Sequence, residues 1–507
     1  MTGRSRRAHT RAVALVTTGV TAAVLAGCSA GADPEGTSNG DGAGLTVGMA
    51  LAPPTLDLGA TDAASVPQAL LTNVYEGLVR VDQNGRITGS LAKAWQVSPD
   101  RSTYTFELVD NAKFSNGAVF TPEDVKFSVE RAKNRWTNAA AATMRNVKDV
   151  KILSGKTVQI VLEKPSNDWL YRMAATRAGA MFSRTGVTDL AKKPVGTGPY
   201  TVSKWVPGQS LTLNRNPDYW GQRPHYERVT FKYMTDTSAL TNAMLSGGIN
   251  ILSVVQPDAL PRFSDTGRFR TIEGTTNGEV VLSFNNAKGA FADKAVRQAA
   301  RAAIDHRSLL DKCWGGKGTL IGSMVPPTDP WYEDLTGVAP YDPDKAKSLL
   351  ADAKKPHPAI RLRIPNAPYA VSCGPVVKSQ LEQVGFTVTM DTMEFPTWLT
   401  KVFQNSDYDA SIVAHVEPRD IGTVFGNSDY YLHYQNSAVT DDLTAADTGD
   451  ETTQITKMKE AAKIISEDAA ADWLFLMPNL MVTDTSVAGL AKNQLTESFD
   501  LTALSRD

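Results

Sequence analysis

Phe114-Ser115-Asn116-Gly117-Ala118-Val119-Phe120-Thr121-Pro122-Glu123-Asp124-Val125 reads as aromatic residues around a polar turn, followed by the start of a helix. Thr121 supplies an N-cap hydroxyl, and Pro122 takes the first helical position, where its missing N–H is no loss. Glu123 and Asp124 then put acids at the positive end of the helix dipole. Val125, Val129 and Ala132 follow on one face. The device recurs at Asp342-Pro343-Asp344, ahead of Ala346, Leu349 and Leu350. A third helix is predicted from Asp293, with Val296, Ala300 and Ala303 at helical spacing. Strands are as legible. Leu45–Met49 is predicted as the first, leading to the Pro53-Pro54 turn. Residues 103–108 and 229–233 alternate apolar and polar, as half-buried strands require. The fold class is therefore mixed α/β with several sheets.

The N-terminus carries an address. Arg4, Arg6, Arg7 and Arg11 precede an uncharged run from Ala12 to Ala26 that is too short for a span and ends at Leu25-Ala26-Gly27-Cys28. Residues 1–27 read as a signal peptide. The Leu-Ala-Gly-Cys ending resembles the lipobox of bacterial lipoproteins, which implies cleavage before Cys28 and acylation of that residue as the lipid anchor. The segment 28–44 is rich in Gly, Ser and Asp and reads as a flexible tether, with a reach of roughly 20–25 Å. Gly36-Thr37-Ser38-Asn39-Gly40 inside it matches the serine-hydrolase G-x-S-x-G by chance, since that motif works only on a strained strand-to-helix turn.

The net charge of −2 gives no pull toward nucleic acid or anionic lipid, and a body running from residue 45 to 507 is long enough for two or more lobes. No apolar run after residue 26 reaches spanning length. Cys313 and Cys373 are too few for a thiolate metal site and form a possible single disulfide in an oxidising compartment; spacing does not decide whether they pair. No nucleophile, base and orienting acid occur in a recognisable setting, so the sequence reads as a binder and not an enzyme, with no cofactor.

Several segments, in order along almost the whole mature chain, resemble the family 5 extracytoplasmic solute-binding proteins of ABC importers, the oligopeptide, dipeptide and nickel binders. They are Leu56-Asp57, Asn73-Val74-Tyr75-Glu76-Gly77-Leu78-Val79, Leu91-Ala92-Lys93-Ala94-Trp95 and the block that begins at Phe114. Gly196-Thr197-Gly198-Pro199-Tyr200, Asn214-Arg215-Asn216-Pro217-Asp218-Tyr219-Trp220, and Phe284-Asn285-Asn286 through Val296-Arg297-Gln298-Ala299 complete the series. Taken alone, the Gly196 and Gly198 pair reads as a tight turn without a phosphate-binding pattern, and Trp95, Phe106, Phe114 and Trp220 read as core.

The resemblance implies a two-lobed periplasmic-binding-protein-like fold of class II. Lobe I would span 45–274, with an extra subdomain at about 80–190, lobe II 275–478, and 479–507 would return to lobe I. A monomer on the outer face of the cell membrane would close over a peptide and pass it to an ABC permease and its ATPase. The ligand's ammonium would meet Glu417 or Asp420, in Tyr408-Asp409-Ala410-Ser411-Ile412-Val413-Ala414-His415-Val416-Glu417-Pro418-Arg419-Asp420, where His415 replaces the family's usual aromatic. A plain alternative pairs Glu417 with Arg419 or another surface cation. Trp398 would offer an aromatic wall, Tyr430 and Tyr431 would line the mouth with His433 and Tyr434, and the loop Ser65-Val66-Pro67-Gln68 would present a strand edge. Two other readings share this fold: a binder of nickel chelates or another small solute, with His415 and His433 as a weak direct metal pair, and a tethered sensor that signals solute to a kinase.

Overall fold

A computed structural model describes residues 44–506 of the chain; the signal segment, Cys28 and the tether up to residue 43 lie outside the described residues. One ten-stranded sheet organises the body. Its order is Thr387–Met393, Ala359–Pro365, Ala410–His415, Phe269–Phe284, Ala471–Asp484, Ile251–Leu252, Leu45–Met49, Arg228–Tyr233, Ser210–Arg215 and Tyr200–Val206. The two central strands are the longest, and they pair in two sections. Phe269–Thr275 runs antiparallel to 478–484, and 279–283 to 471–476, with a register shift between Thr275 and Glu279. Outside this break, the strand Ala471–Asp484 pairs with Ile251–Leu252 at one end, and Phe269–Phe284 pairs with Ala410–His415 at the other.

The hydrophobic cores divide at the same place. Two buried clusters draw on residues 45–272 and 480–504, and two others on residues 280–477. The long strands are thus shared by two lobes, each with its own core. Such a connection can bend where ladder bonds are interrupted while each packed core moves as a unit.

A four-stranded antiparallel sheet, ordered Ala92–Val97, Thr103–Leu108, Thr157–Leu162 and Val147–Ser154, carries the helix Pro122–Arg135. Tyr104, Phe106 and Leu108 are buried while Glu107 between them is exposed, as the alternation predicts. Full burial of a side chain such as Phe106 contributes about 1.5–3 kcal/mol. The helix start is built more tightly than solvated acids require. Asp124 is buried, and its Oδ2 accepts from both the backbone N–H and the hydroxyl of Thr121, each at 3.0 Å, while Oδ1 accepts from Arg184 Nε at 3.1 Å. The helices predicted from Asp342 and Asp293 are present as Pro343–Asp352 and Lys294–Ala303, and both aspartates cap them with side-chain oxygens.

Three of the segments that carry the family resemblance meet at one point. Glu76, buried, accepts from Thr197 Oγ1 at 2.8 Å, Tyr219 OH at 2.8 Å and Trp220 Nε1 at 2.9 Å. The glycines beside Thr197 owe their identity to a close approach of backbones. A Cβ on Gly196 would lie 1.9 Å from the Val74 carbonyl oxygen, and one on Gly198 2.5 Å from that of Asn73. Asn73 in turn donates to the Phe499 carbonyl and accepts from the Leu501 N–H, tying the C-terminal stretch to this lobe.

Cys313 and Cys373 are joined in a disulfide, which links the helices His306–Trp314 and Pro368–Gln383. Among the described residues no helix is long and apolar enough to cross a membrane.

Candidate functional site between the lobes

Four separate stretches bring charged side chains together where the lobes face each other. The helix Asp168–Ala175, packed in the first lobe's core through Trp169 and Tyr171, supplies Asp168, Tyr171 and Arg172. The second lobe supplies Glu279 from the crossing strand, Asp329 and Trp331 from a loop, and the run His415 to Asp420 at the end of the strand Ala410–His415.

Arg419 is the closest link. Its backbone is left-handed, with φ 56°, and its Nε donates to Asp329 Oδ1 at 3.0 Å. The guanidinium carbon lies 3.4 Å from the ring centroid of Tyr171, in the first lobe, and 4.5 Å from that of Trp331. A guanidinium held between two aromatic faces gains electrostatic attraction from both. Burial pushes the Asp329 carboxyl up, and Arg419 pulls it back. Glu417 therefore does not pair with Arg419. It keeps its side chain exposed to the cleft, yet surrounding protein raises its carboxyl, with Arg172 as the main counteracting charge. Arg172 is itself hydrogen-bonded to Asp168, which with Glu417 and Asp420 holds its guanidinium charged.

His415 and Glu279 are direct cross-strand partners, so both side chains project from one face of the sheet. His415 is buried, with Nδ1 3.6 Å from Asp420 Oδ2 and Nε2 3.1 Å from the Tyr431 hydroxyl. Glu279 is 2 % exposed, and its Oε2 has no hydrogen-bond partner. Burial raises its carboxyl well above the ordinary range, and the like charges of Asp420 and Asp329 add to the effect. Five carboxylates, Asp168, Glu279, Asp329, Glu417 and Asp420, thus gather here with two guanidiniums, while Asp62 and Glu497 also act on Glu417 and Glu497 is itself paired with Arg177.

The lobes also touch at a second point. Asn167 Nδ2 donates to the carbonyls of Ala446 and Gly449 at 2.9 and 2.7 Å, and Asp447 Oδ1 accepts from Ser166 Oγ and from the Asp168 N–H, both at 2.9 Å. A separate cavity of about 490 Å³ lies at the strand crossing, lined by Glu273, Gly274, Thr275, Gly318, Thr319, Pro478, Lys492 and Asn493. None of the five cleft acids lines it, so the chemistry points to the acid cluster.

The structure gathers Glu417, Asp420, His415 and Tyr430 from the predicted residues. Tyr430 is half-buried, and Asp420 and Glu417 both act on its hydroxyl. Tyr431 stands behind them, 2 % exposed, its hydroxyl 2.7 Å from Ser283 Oγ. Two expectations need correction. Trp398 is a core residue and not a bare wall: it is 3 % exposed, its Nε1 donates to Ser411 Oγ at 2.9 Å, and Phe395, Phe403 and Tyr431 pack around the ring. Ser65, Val66 and Pro67 belong to the short helix Ser65–Leu70 and not to a loop with a strand edge. All three are buried, and Ser65 Oγ donates to the Ala52 carbonyl at 3.1 Å.

His433 is tied to Ser406 Oγ at 2.7 Å and to the Ser428 carbonyl, not to His415. No group of three or more His, Cys, Asp or Glu suited to a metal ion occurs among the described residues. Sequence reasoning missed Tyr171, Arg172, Glu279, Asp329 and Trp331. Only Glu279 left a signal, a lone acid at the head of the apolar run Val280-Val281-Leu282.

A family model described as bacterial extracellular solute-binding proteins, family 5 Middle, matches residues 86–441. A putative ABC transporter peptide-binding protein of Brucella ovis is 31% identical over 349 residues, 66% of this chain and 66% of the relative. The match thus spans a little under two thirds of that relative's length. The nickel-binding periplasmic protein of Escherichia coli is 32% identical over 292 residues, 55% of either chain. The fold is similar to that of the oligopeptide-binding protein AppA from Bacillus subtilis, solved in complex with a nonapeptide, with a TM-score of 0.75, 21% identity, and coverage of 92% of this chain and 99% of the other.

Proposed function

The chain belongs to the family 5 bacterial extracellular solute-binding proteins, and from that premise we propose that it captures short peptides between its lobes and delivers them to the membrane permease of an ABC importer. Solute-binding proteins of this family are not enzymes; the permease's separate ATPase would supply the energy. The observation that carries the peptide reading is the acid cluster itself. Asp420, buried beside His415, and Glu417, open to the cleft, have no guanidinium of their own, since Arg172 is bonded to Asp168 and Arg419 to Asp329. A carboxylate drawn out of water gains most from a cation of its own, and a peptide's ammonium would supply one here. Relatives described as peptide binders point the same way.

The lobe boundaries belong to the same reading: lobe I from 45 to 274, lobe II from 275 to 478, and a return to lobe I over 479–507. Closure would use the strand crossing as hinge, and ligand would shift the population toward the closed form. Cys28 would carry the lipid anchor, holding the body at the outer face of the cell membrane.

Native mass spectrometry of the body from Leu45 onward, purified without refolding, tests the ligand class. A ladder of peptide masses is the expected result. A single metal-containing mass would move the chain to the chelate binders, which the likeness to a nickel-binding protein keeps as the second reading. The site is tested by Asp420→Asn: affinity for Ala-Ala-Ala should fall roughly tenfold or more, while the weaker binding of its N-acetylated form should not change. Equal loss for both peptides would remove Asp420 from the ammonium site.

A further inference from the structure

The charge count of the cleft goes further than one ammonium. Two of the five carboxylates are bonded to guanidiniums, Asp168 to Arg172 and Asp329 to Arg419, and Asp420 with Glu417 suffices for a peptide's N-terminus. Glu279 is left over. Its neighbours offer it no charge of opposite sign. Across the ladder on one side stands His415, already engaged with Asp420 and Tyr431, and across the other side stands Leu476. Asp420 and Asp329 act on it as like charges. A carboxyl so placed, nearly inaccessible and with one oxygen unbonded, is a structural cost to the ligand-free protein.

We propose that Glu279 is the counter-ion for a second cationic group of the ligand, a lysine ammonium or arginine guanidinium, so that the cleft selects basic peptides. The inference rests on the peptide reading above and adds the side-chain preference. A peptide with a free N-terminus and one basic residue brings two positive charges to Asp420 and Glu279, and its own carboxylate stays outside this cluster. A neutral peptide brings no charge to Glu279 and gains no charge-assisted hydrogen bond there.

The test is calorimetric titration of the body with Lys-Ala-Ala, Ala-Lys-Ala and Ala-Ala-Lys, each paired with the counterpart carrying norleucine, which has a side chain of similar length without the charge. At least one lysine peptide is expected to bind roughly tenfold tighter than its norleucine partner. Glu279→Gln should abolish the preference while keeping norleucine-peptide affinity and a cooperative thermal transition at or above the native midpoint, which separates loss of the counter-ion from loss of the fold. Equal affinities within every pair would overturn the proposal and leave the peptide reading standing. A lysine preference that persists in Glu279→Gln would overturn the assignment to Glu279. Failure of all six peptides to bind would overturn the peptide reading and this proposal with it.

Discussion

Glu76 and Glu279 are both buried glutamates, and their surroundings treat them in opposite ways. Glu76, inside the first lobe, receives three donors from Thr197, Tyr219 and Trp220. Glu279, between the lobes, has an oxygen with none. The second lobe repeats the first pattern at Asp472, 1 % exposed on the crossing strand, where His306 Nε2 lies 3.0 Å and Arg301 Nε 3.3 Å from the same oxygen. Acids inside a lobe are satisfied by the chain itself, and the acids that face the cleft outnumber the cations available there. A satisfied acid pins segments together. An unsatisfied one waits for something the chain does not contain.

The strongest way to break this comparison is at Asp472. Asp472→Asn should cost about 3–5 kcal/mol in urea unfolding, because it strands the Arg301 guanidinium without its counter-charge inside the second lobe. Burial raises the Asp472 carboxyl, but His306 and Arg301 outweigh it and hold the group below its ordinary value. Its contribution to stability is therefore present above the ordinary carboxylate range and is lost as pH falls. A neutral result would place Asp472 with the dispensable acids.

At Glu76 the expected effect is smaller and its pH dependence has the opposite sign. Burial raises the carboxyl, three donors pull it back, and the group settles at about 7. The folded chain then holds a proton that the unfolded chain releases from about 4.5 upward, so this contribution is full below about 4.5 and falls by about 3 kcal/mol as pH rises to 7. Glu76→Gln, which turns N–H groups toward donors, should cost about 1–3 kcal/mol at pH 5, and the deficit should shrink by pH 8. A deficit that grows with pH would mean that Glu76 works as an ion.

At Glu279 the expected effect has the reverse direction. Its carboxyl is raised by burial and by Asp420 and Asp329, so it costs stability as pH rises above the ordinary carboxylate range. Glu279→Gln should stabilise the ligand-free body at pH 8 and have no effect at pH 4, where the native side chain is neutral too. Destabilisation at pH 8 would show an internal role like that of Glu76.

Much of the local structure was legible in the residues. The caps at Thr121, Asp293 and Asp342 and the alternation of Thr103–Leu108 are set by neighbours a few positions away, and the structure has them where expected. The segments around Asn73, Thr197 and Asn216 were recognisable in order, but nothing in any one of them shows that they converge on Glu76. The cleft was legible only in its contiguous part, His415 to Asp420. Tyr171, Arg172, Glu279, Asp329 and Trp331 come from distant stretches of ordinary composition. Trp398 and Ser65 to Pro67 were misread for a related reason: an aromatic or a small polar turn looks the same in sequence whether its exposed face meets a ligand or a core.

The sequence by itself determined the secondary-structure ends, the alternating faces, the family resemblance and the number of acids and bases, because these depend on residue type and on contacts a few positions apart. Tertiary structure alone decided which carboxylates are answered and which are left over. That depends on how strongly each is desolvated and on which donors from other segments reach within about 3 Å, and folding sets both together.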